Sequence, residues 1–216
     1  DLSDLTAPNV DALKKGLPNL EKHLENVKKY NIVPVIAINK FTTDDDAEIE
    51  VIREFAAAQN IKVAVAEVWA KGGKGALELA QCLIDVVESG KSNFQPLYAW
   101  NSPVEEKIAT IAKEIYGAKE VEYTAQAKAH LKRITDLGLN DLPICMAKTQ
   151  KSLSDDATLI GRPTNFSITI REIEIAAGAG FLVPITGTIM RMPGLPAHPS
   201  SEGIDVNEKG EIVGLF

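Results

Sequence analysis

The sequence predicts an α/β fold: a parallel sheet flanked by helices, followed by a smaller α+β region with an antiparallel hairpin. Three observations carry this. Two short apolar runs, 32–38 and 61–68, are each followed by a loop and then by apolar residues at helical spacing. A strand–loop–helix unit that repeats is how a parallel sheet with right-handed crossovers is built. Past about residue 138 the pattern changes, and 166–175 alternates apolar and polar residues, as in a strand with one solvated face.

The elements follow in order. Thr6 with Pro8 reads as an N-cap and an early-turn proline, opening a helix through Leu13. Gly16 and Pro18 punctuate it, and Leu20, Leu24 and Val27 resume helical spacing as far as Tyr30. Ile32 to Ile38 is an apolar run rich in branched residues, expected of a strand covered on both faces. Asn39 and Lys40 end it. Asp44, Asp45 and Asp46 then start a helix that turns Ile49, Ile52, Phe55 and Ala56 inward, with the acids at the positive end of the helix dipole.

The cycle repeats with a strand from Ile61 to Val68, a glycine-rich turn from Trp69 to Gly75 and a helix from Ala76 to Glu88. A short strand near Pro96 to Trp100, helices over about Pro103 to Tyr116 and Thr124 to Leu137, and a buried strand from Leu142 to Ala147 come next. Gly178 and Gly180 turn the alternating strand back into Phe181 to Ile185, an antiparallel hairpin. A proline-rich loop, Met192 to Pro196, precedes a last hairpin around Glu208, Lys209 and Gly210. A soft boundary divides the chain into residues 1–130, which carry the two strand ends, and a smaller region, 131–216.

Composition excludes several classes. A formal net charge of −7 repels nucleic-acid phosphates. The apolar runs are too short and too interrupted for a signal peptide or a spanning helix, so no membrane role and a cytoplasmic location are expected. Cys82 and Cys145 lie far apart in apolar stretches and read as buried free thiols. With no CxxC and three scattered histidines, no metal site is expected. The chain opens at Asp1 without methionine, and it is expected to be cut from a longer protein.

Ligands of open parallel sheets bind at the carboxyl ends of the strands. The two such ends here read Asn39-Lys40-Phe41-Thr42-Thr43-Asp44 and Glu67-Val68-Trp69-Ala70-Lys71-Gly72-Gly73-Lys74-Gly75. An aromatic ring at each end could wall a slot for a flat heterocycle. On spacing alone, sealing the top of the core is the commoner role for Phe41 and Trp69. Asn39-Lys40 resembles the Asn-Lys-x-Asp base-recognition element, but Thr42 stands where its Asp belongs. Lys71 to Gly75 fits an anion cradle and a flexible turn equally well. No GxxxxGK[ST] loop occurs; Gly90-Lys91-Ser92 supplies only its tail, with Asp85 at the position of the first glycine.

Other candidates are weaker. His23, His130 and His198 stand alone, and no nucleophile–base pair is evident. Asp155-Asp156 after Ser152 and Ser154 could bind Mg²⁺ through oxygens, although a turn or helix start is the commoner reading of such a run. Lys148-Thr149-Gln150 could face a ligand at the same sheet edge.

Taken together, several long stretches resemble the C-terminal portion of formate–tetrahydrofolate ligases, over essentially the whole chain. They are 35–41, 67–73, 146–150, Gly161-Arg162-Pro163 with Asn165-Phe166, 184–187, 189–196 and the apolar ending 211–216. The resemblance implies an ATP-dependent ligase that joins formate to tetrahydrofolate through formyl phosphate. It implies that Phe41 and Trp69 stack on the pterin from opposite sides with Val65 near them, and that Asn39 and Lys40 lie toward the nucleotide. It further implies ATP with Mg²⁺ as co-substrate, tetrahydrofolate as substrate, a monovalent cation, and a homo-oligomer, the homotetramer.

This chain departs from the family pattern in two respects. Thr42 stands where many members carry proline, and the phosphate-binding loop belongs to the family segment before this one. The polypeptide alone is therefore expected to be inactive, since stabilising charge on the transferring phosphoryl group is most of that catalysis. The alternative reading is a non-catalytic folate- or nucleotide-binding module.

Overall fold

A computed structural model of the chain describes residues 7–148, 152–187 and 197–214. The first helix, α1 (Val10–Lys29), is continuous, where the sequence predicts a break at Gly16 and Pro18. Proline removes the hydrogen bond to the carbonyl four residues back. Here that carbonyl belongs to Lys14, and both residues are exposed, so water can replace the lost donor. The stripe of Leu13, Leu17, Leu20 and Leu24 keeps its spacing across Pro18. The N-cap is Asn9, whose side chain accepts from the Ala12 amide; the expected cap, Thr6, lies outside the described residues.

Strand β1 (Val35–Asn39) begins after Pro34 and runs parallel to β2 (Lys62–Ala66), with Ile38 opposite Val65 and Asn39 opposite Ala66. Only Ile36 is buried in β1, so it is not covered on both faces as expected. Between the two strands runs α2 (Asp46–Ala58), capped by Asp45. β2 ends earlier than the sequence predicts because Val68 already belongs to a single helical turn, α3 (Val68–Lys71). A 3₁₀ turn over Gly72–Ala76 then leads into α4 (Leu77–Glu88). Leu24, Ile36, Ala56 and Ile61 form the core of this layer.

The segment expected to form a strand near Pro96 is irregular. The residues just before it are bonded to the end of α1: the amides of Asn93 and Gln95 donate to the carbonyls of Asn31 and Tyr30 at 2.9 Å each. Helix α5 (Val104–Ile111) widens into a π turn at Ala112–Tyr116 and stops at Gly117, whose φ of +79° suits the left-handed cap. A short strand absent from the sequence reading, β3 (Glu120–Tyr123), precedes α6 (Ala125–Asp136). β3 pairs parallel with β4 (Ser167–Ala176), which pairs antiparallel with β5 (Phe181–Thr186). The expected hairpin is therefore present, within a mixed sheet. The segment from Leu142 to Ala147 is half-buried and joins this sheet through two parallel bridges, Ile144 to Leu182 and Ala147 to Ile185. A last antiparallel pair, β6 (Asp205–Val206) and β7 (Ile212–Val213), follows.

Val104, Ile108, Ala127, Ile134, Ile168, Ile170 and Leu182 belong to the second and larger core. Each fully buried aliphatic side chain contributes roughly 1.5–3 kcal/mol, so most hydrophobic stabilisation sits here. Position 130 falls inside α6, whose Ala127, Leu131 and Ile134 all pack into this core.

Polar contacts tie the two cores together. Lys22 Nζ donates to the Glu114 carbonyl at 2.7 Å, and Asn26 Nδ2 to that of Ile115 at 2.9 Å, both on the π turn. Arg162 spans Glu21 at 2.9 Å and both carboxylate oxygens of Glu25 at 2.9 and 2.8 Å. Both cysteines are free, but Cys145 is exposed and Cys82 half-buried, which corrects the expectation of two buried thiols. Among the described residues, no helix is long and apolar enough to cross a membrane.

Candidate functional site

The parallel register sets the carboxyl ends of β1 and β2 side by side, and the Lys40 amide extends the ladder by donating to the Ala66 carbonyl at 3.0 Å. Beyond those ends lie a short loop carrying Phe41 and the single helical turn α3 carrying Trp69. Phe41 is 50% exposed and Trp69 63% exposed. Neither ring is fully buried, and neither belongs to the core cluster formed by Leu24, Ile36, Ala56 and Ile61. Exposure alone assigns no ligand, since Phe94 and Trp100 are exposed to a similar degree and single surface apolar residues are common. What sets Phe41 and Trp69 apart is their place just beyond two adjacent parallel strand ends.

Both segments are held by specific bonds. The Phe41 amide donates to Asp44 Oδ2 at 2.8 Å, and the Asp44 amide donates back to the Phe41 carbonyl at 3.2 Å. On the other side the Glu67 amide donates to the Gly75 carbonyl at 3.0 Å, closing the turn that presents Trp69. Gly75 is required there, because a β-carbon would lie 2.4 Å from the Glu67 carbonyl oxygen. Lys71 Nζ pairs with the Glu67 carboxylate, so one cation of the glycine-rich stretch is engaged locally rather than free to cradle an anion.

Lys40, Val65 and Glu67 line one cleft of about 470 Å³, together with Asp46, Arg53 and Glu78. Phe41, Trp69 and Asn39 are not among its lining residues; Asn39 is exposed at the end of β1. Lys40 Nζ pairs with Asp46 Oδ1 at 2.8 Å. That hydrogen bond holds the Lys40 ammonium above its ordinary value and the Asp46 carboxyl below its own. Lys40 and Arg53 are the cations of a cleft that is also lined by the carboxylates of Asp46, Glu50, Glu67 and Glu78.

Several of the remaining sequence candidates have structural partners. Ser92 Oγ accepts from the Val33 amide at 3.1 Å, at the opposite end of β1. Asp155 Oδ2 accepts from the Thr169 amide at 2.9 Å, and Asp156 Oδ1 accepts from the amide and hydroxyl of Thr158. Among the described residues, no group of three or more His, Cys, Asp or Glu could hold a metal ion. His130 Nδ1 accepts from the Ile173 amide at 3.1 Å, and His23 and His198 are exposed. Lys148 sits over the Tyr116 ring, 5.5 Å from its centroid, and burial lowers its ammonium pKa. Thr149, Gln150 and the proline-rich loop 192–196 lie outside the described residues.

The sequence places Asp44, Asp46 and Glu67 at a helix start and at the strand ends, but not their pairing with the Phe41 amide, Lys40 and Lys71. The signal was present as an Asp three residues after Phe41 and a Glu two residues before Trp69, but acids at a helix start have a sufficient local explanation. A family model described as formate–tetrahydrofolate ligase matches residues 1–216, the full length of the chain.

Proposed function

The chain belongs to the formate–tetrahydrofolate ligase family, and from that premise we propose that residues 1–216 supply the folate-facing side of its active site. Phe41 and Trp69 take the pterin between them, Val65 lines the approach, and Asn39 and Lys40 lie toward the nucleotide. The observation that carries this reading is the pair of exposed aromatic rings, one beyond each of two adjacent parallel strand ends. A flat heterocycle laid on them would remove apolar area worth roughly 25 cal/mol per Å². Stacking adds roughly 0.5–1.5 kcal/mol for each ring pair.

The reaction we assign is ATP-dependent. Formate takes the γ-phosphoryl group to give formyl phosphate and ADP. The folate amine then attacks the formyl carbon, phosphate leaves, and the amine proton is released. These 216 residues contain no Walker-type phosphate loop, so the phosphoryl-transfer step depends on residues outside them and the isolated polypeptide does not turn over. Mg²⁺ and a monovalent cation accompany the nucleotide in this scheme, with no residue here assigned to either. Assembly as a homotetramer and a cytoplasmic location belong to the same reading.

Titration of the 216-residue chain with tetrahydrofolate, followed by Trp69 fluorescence in a Trp100→Phe background, tests the folate assignment. A saturable change is expected; a flat signal overturns it. ATP-dependent formylation by the same polypeptide would overturn the assignment of phosphoryl transfer to residues outside it.

A further inference from the structure

Three consecutive aspartates follow Phe41, and the fold gives each a different task. Asp45 is the N-cap of α2, its carboxylate accepting from the Ala47 amide at 2.8 Å. Asp46, the first helical residue, reaches back to Lys40 Nζ at 2.8 Å. Asp44 does neither. Its carboxylate turns away from the helix and accepts from the Phe41 amide at 2.8 Å, while its own amide donates to the Phe41 carbonyl at 3.2 Å. Both main-chain polar groups of Phe41 thus find their partner in one residue.

Phe41 needs such a partner. It follows β1 and precedes α2, so no ladder or helix bond fixes its backbone, and half of its surface faces water. A residue in that position would ordinarily sample several backbone conformations, and ordering it on ligand binding opposes affinity. The reciprocal pair removes that freedom in advance. Helix-dipole stabilisation does not account for the geometry, because it asks only for negative charge near the first turn, which Asp46 and Glu48 already supply.

We infer that Asp44 is a positioning residue for folate binding: it fixes the Phe41 backbone so that the ring is held ready for the pterin face. This rests on the assignment of Phe41 under Proposed function. Asp44 touches no substrate and acts only through Phe41. The carboxylate is needed as an acceptor rather than as a charge, so the isosteric amide serves nearly as well.

The test is tetrahydrofolate titration of the 216-residue chain carrying Phe41→Ala, Asp44→Ala, Asp44→Asn or Asp45→Ala, with amide hydrogen exchange at Phe41 as a second readout. Asp44→Ala should weaken binding about three- to tenfold and speed exchange of the Phe41 amide. Asp44→Asn should stay within about twofold of the parent, since its side-chain oxygen still accepts the same bond. Asp45→Ala should lower thermal stability through the lost cap and leave folate affinity unchanged. Unchanged affinity in Asp44→Ala, with weakened affinity in Phe41→Ala, overturns this inference alone. Equal weakening by Asp44→Ala and Asp45→Ala also overturns it, because the effect is then a loosened helix end. A parent that binds no tetrahydrofolate, or a Phe41→Ala variant that binds as well as the parent, removes the stacking assignment and this inference with it.

Discussion

Gly75 packs so tightly on Glu67 that a β-carbon there would stand 2.4 Å from the Glu67 carbonyl oxygen. The same two residues share a backbone hydrogen bond of 3.0 Å, so the turn carrying Trp69 closes on a contact that admits only glycine. Gly75→Ala should therefore destabilise the chain by about 1–3 kcal/mol. Gly73→Ala is the control: a β-carbon there would meet nothing within 4 Å, and the φ of Gly73 is not positive, so its effect should stay within about 0.5 kcal/mol. Urea midpoints of the two variants check this, and equal midpoints would show that the turn relaxes freely.

The fork of Arg162 on Glu21 and Glu25 joins α1 to the loop preceding β4. Because these side chains are partly exposed, the pair is worth little by charge alone, and the planar two-sided geometry is what distinguishes it. Arg162→Lys keeps the charge but loses the fork. It should recover less than half of the roughly 1 kcal/mol lost in Arg162→Ala, with the loss shrinking in high salt. A lysine variant as stable as the parent in denaturant melts would reduce the contact to simple charge attraction.

Burial pushes the Tyr116 phenol up to about 12, from an ordinary value of 10.0. With the folded value the higher, the unfolded chain ionises first. The contribution is thus complete below pH 10.0 and is lost as pH rises toward 12. Tyr116→Phe cannot ionise, so the stability gap between parent and variant should be constant at lower pH. It should shift by about 1 kcal/mol in favour of the variant near about pH 11. Comparing the two chains cancels the buried lysines, whose lowered values act in the opposite direction. A gap that does not move with pH would mean that Tyr116 is open to water.

Much of this architecture was legible where the signal is local. The runs at β1 and β2 announced a parallel pair through branched apolar residues, and Gly178 with Gly180 announced the hairpin of β4 and β5. What failed was non-local. The segment at Pro96 looked extended, yet the amides beside it are drawn to the end of α1, about sixty residues earlier in the chain. β3 carries no local signal, since its four residues include two exposed glutamates and become a strand only by pairing with Ser167 to Ile170. At the site, Phe41 and Trp69 were visible as aromatics at strand ends, but their exposure was not. The separate tasks of Asp44, Asp45 and Asp46 were hidden behind one sufficient explanation for the whole run.

The central claim is that Trp69 serves the folate rather than the fold, and substrate-resolved kinetics test it most directly. In an active ligase carrying this segment, Trp69→Ala should raise the KM for tetrahydrofolate roughly tenfold, the equivalent of about 1.4 kcal/mol, and leave the KM for ATP nearly unchanged. Equal losses for both substrates would mark Trp69 as a structural residue and contradict the account.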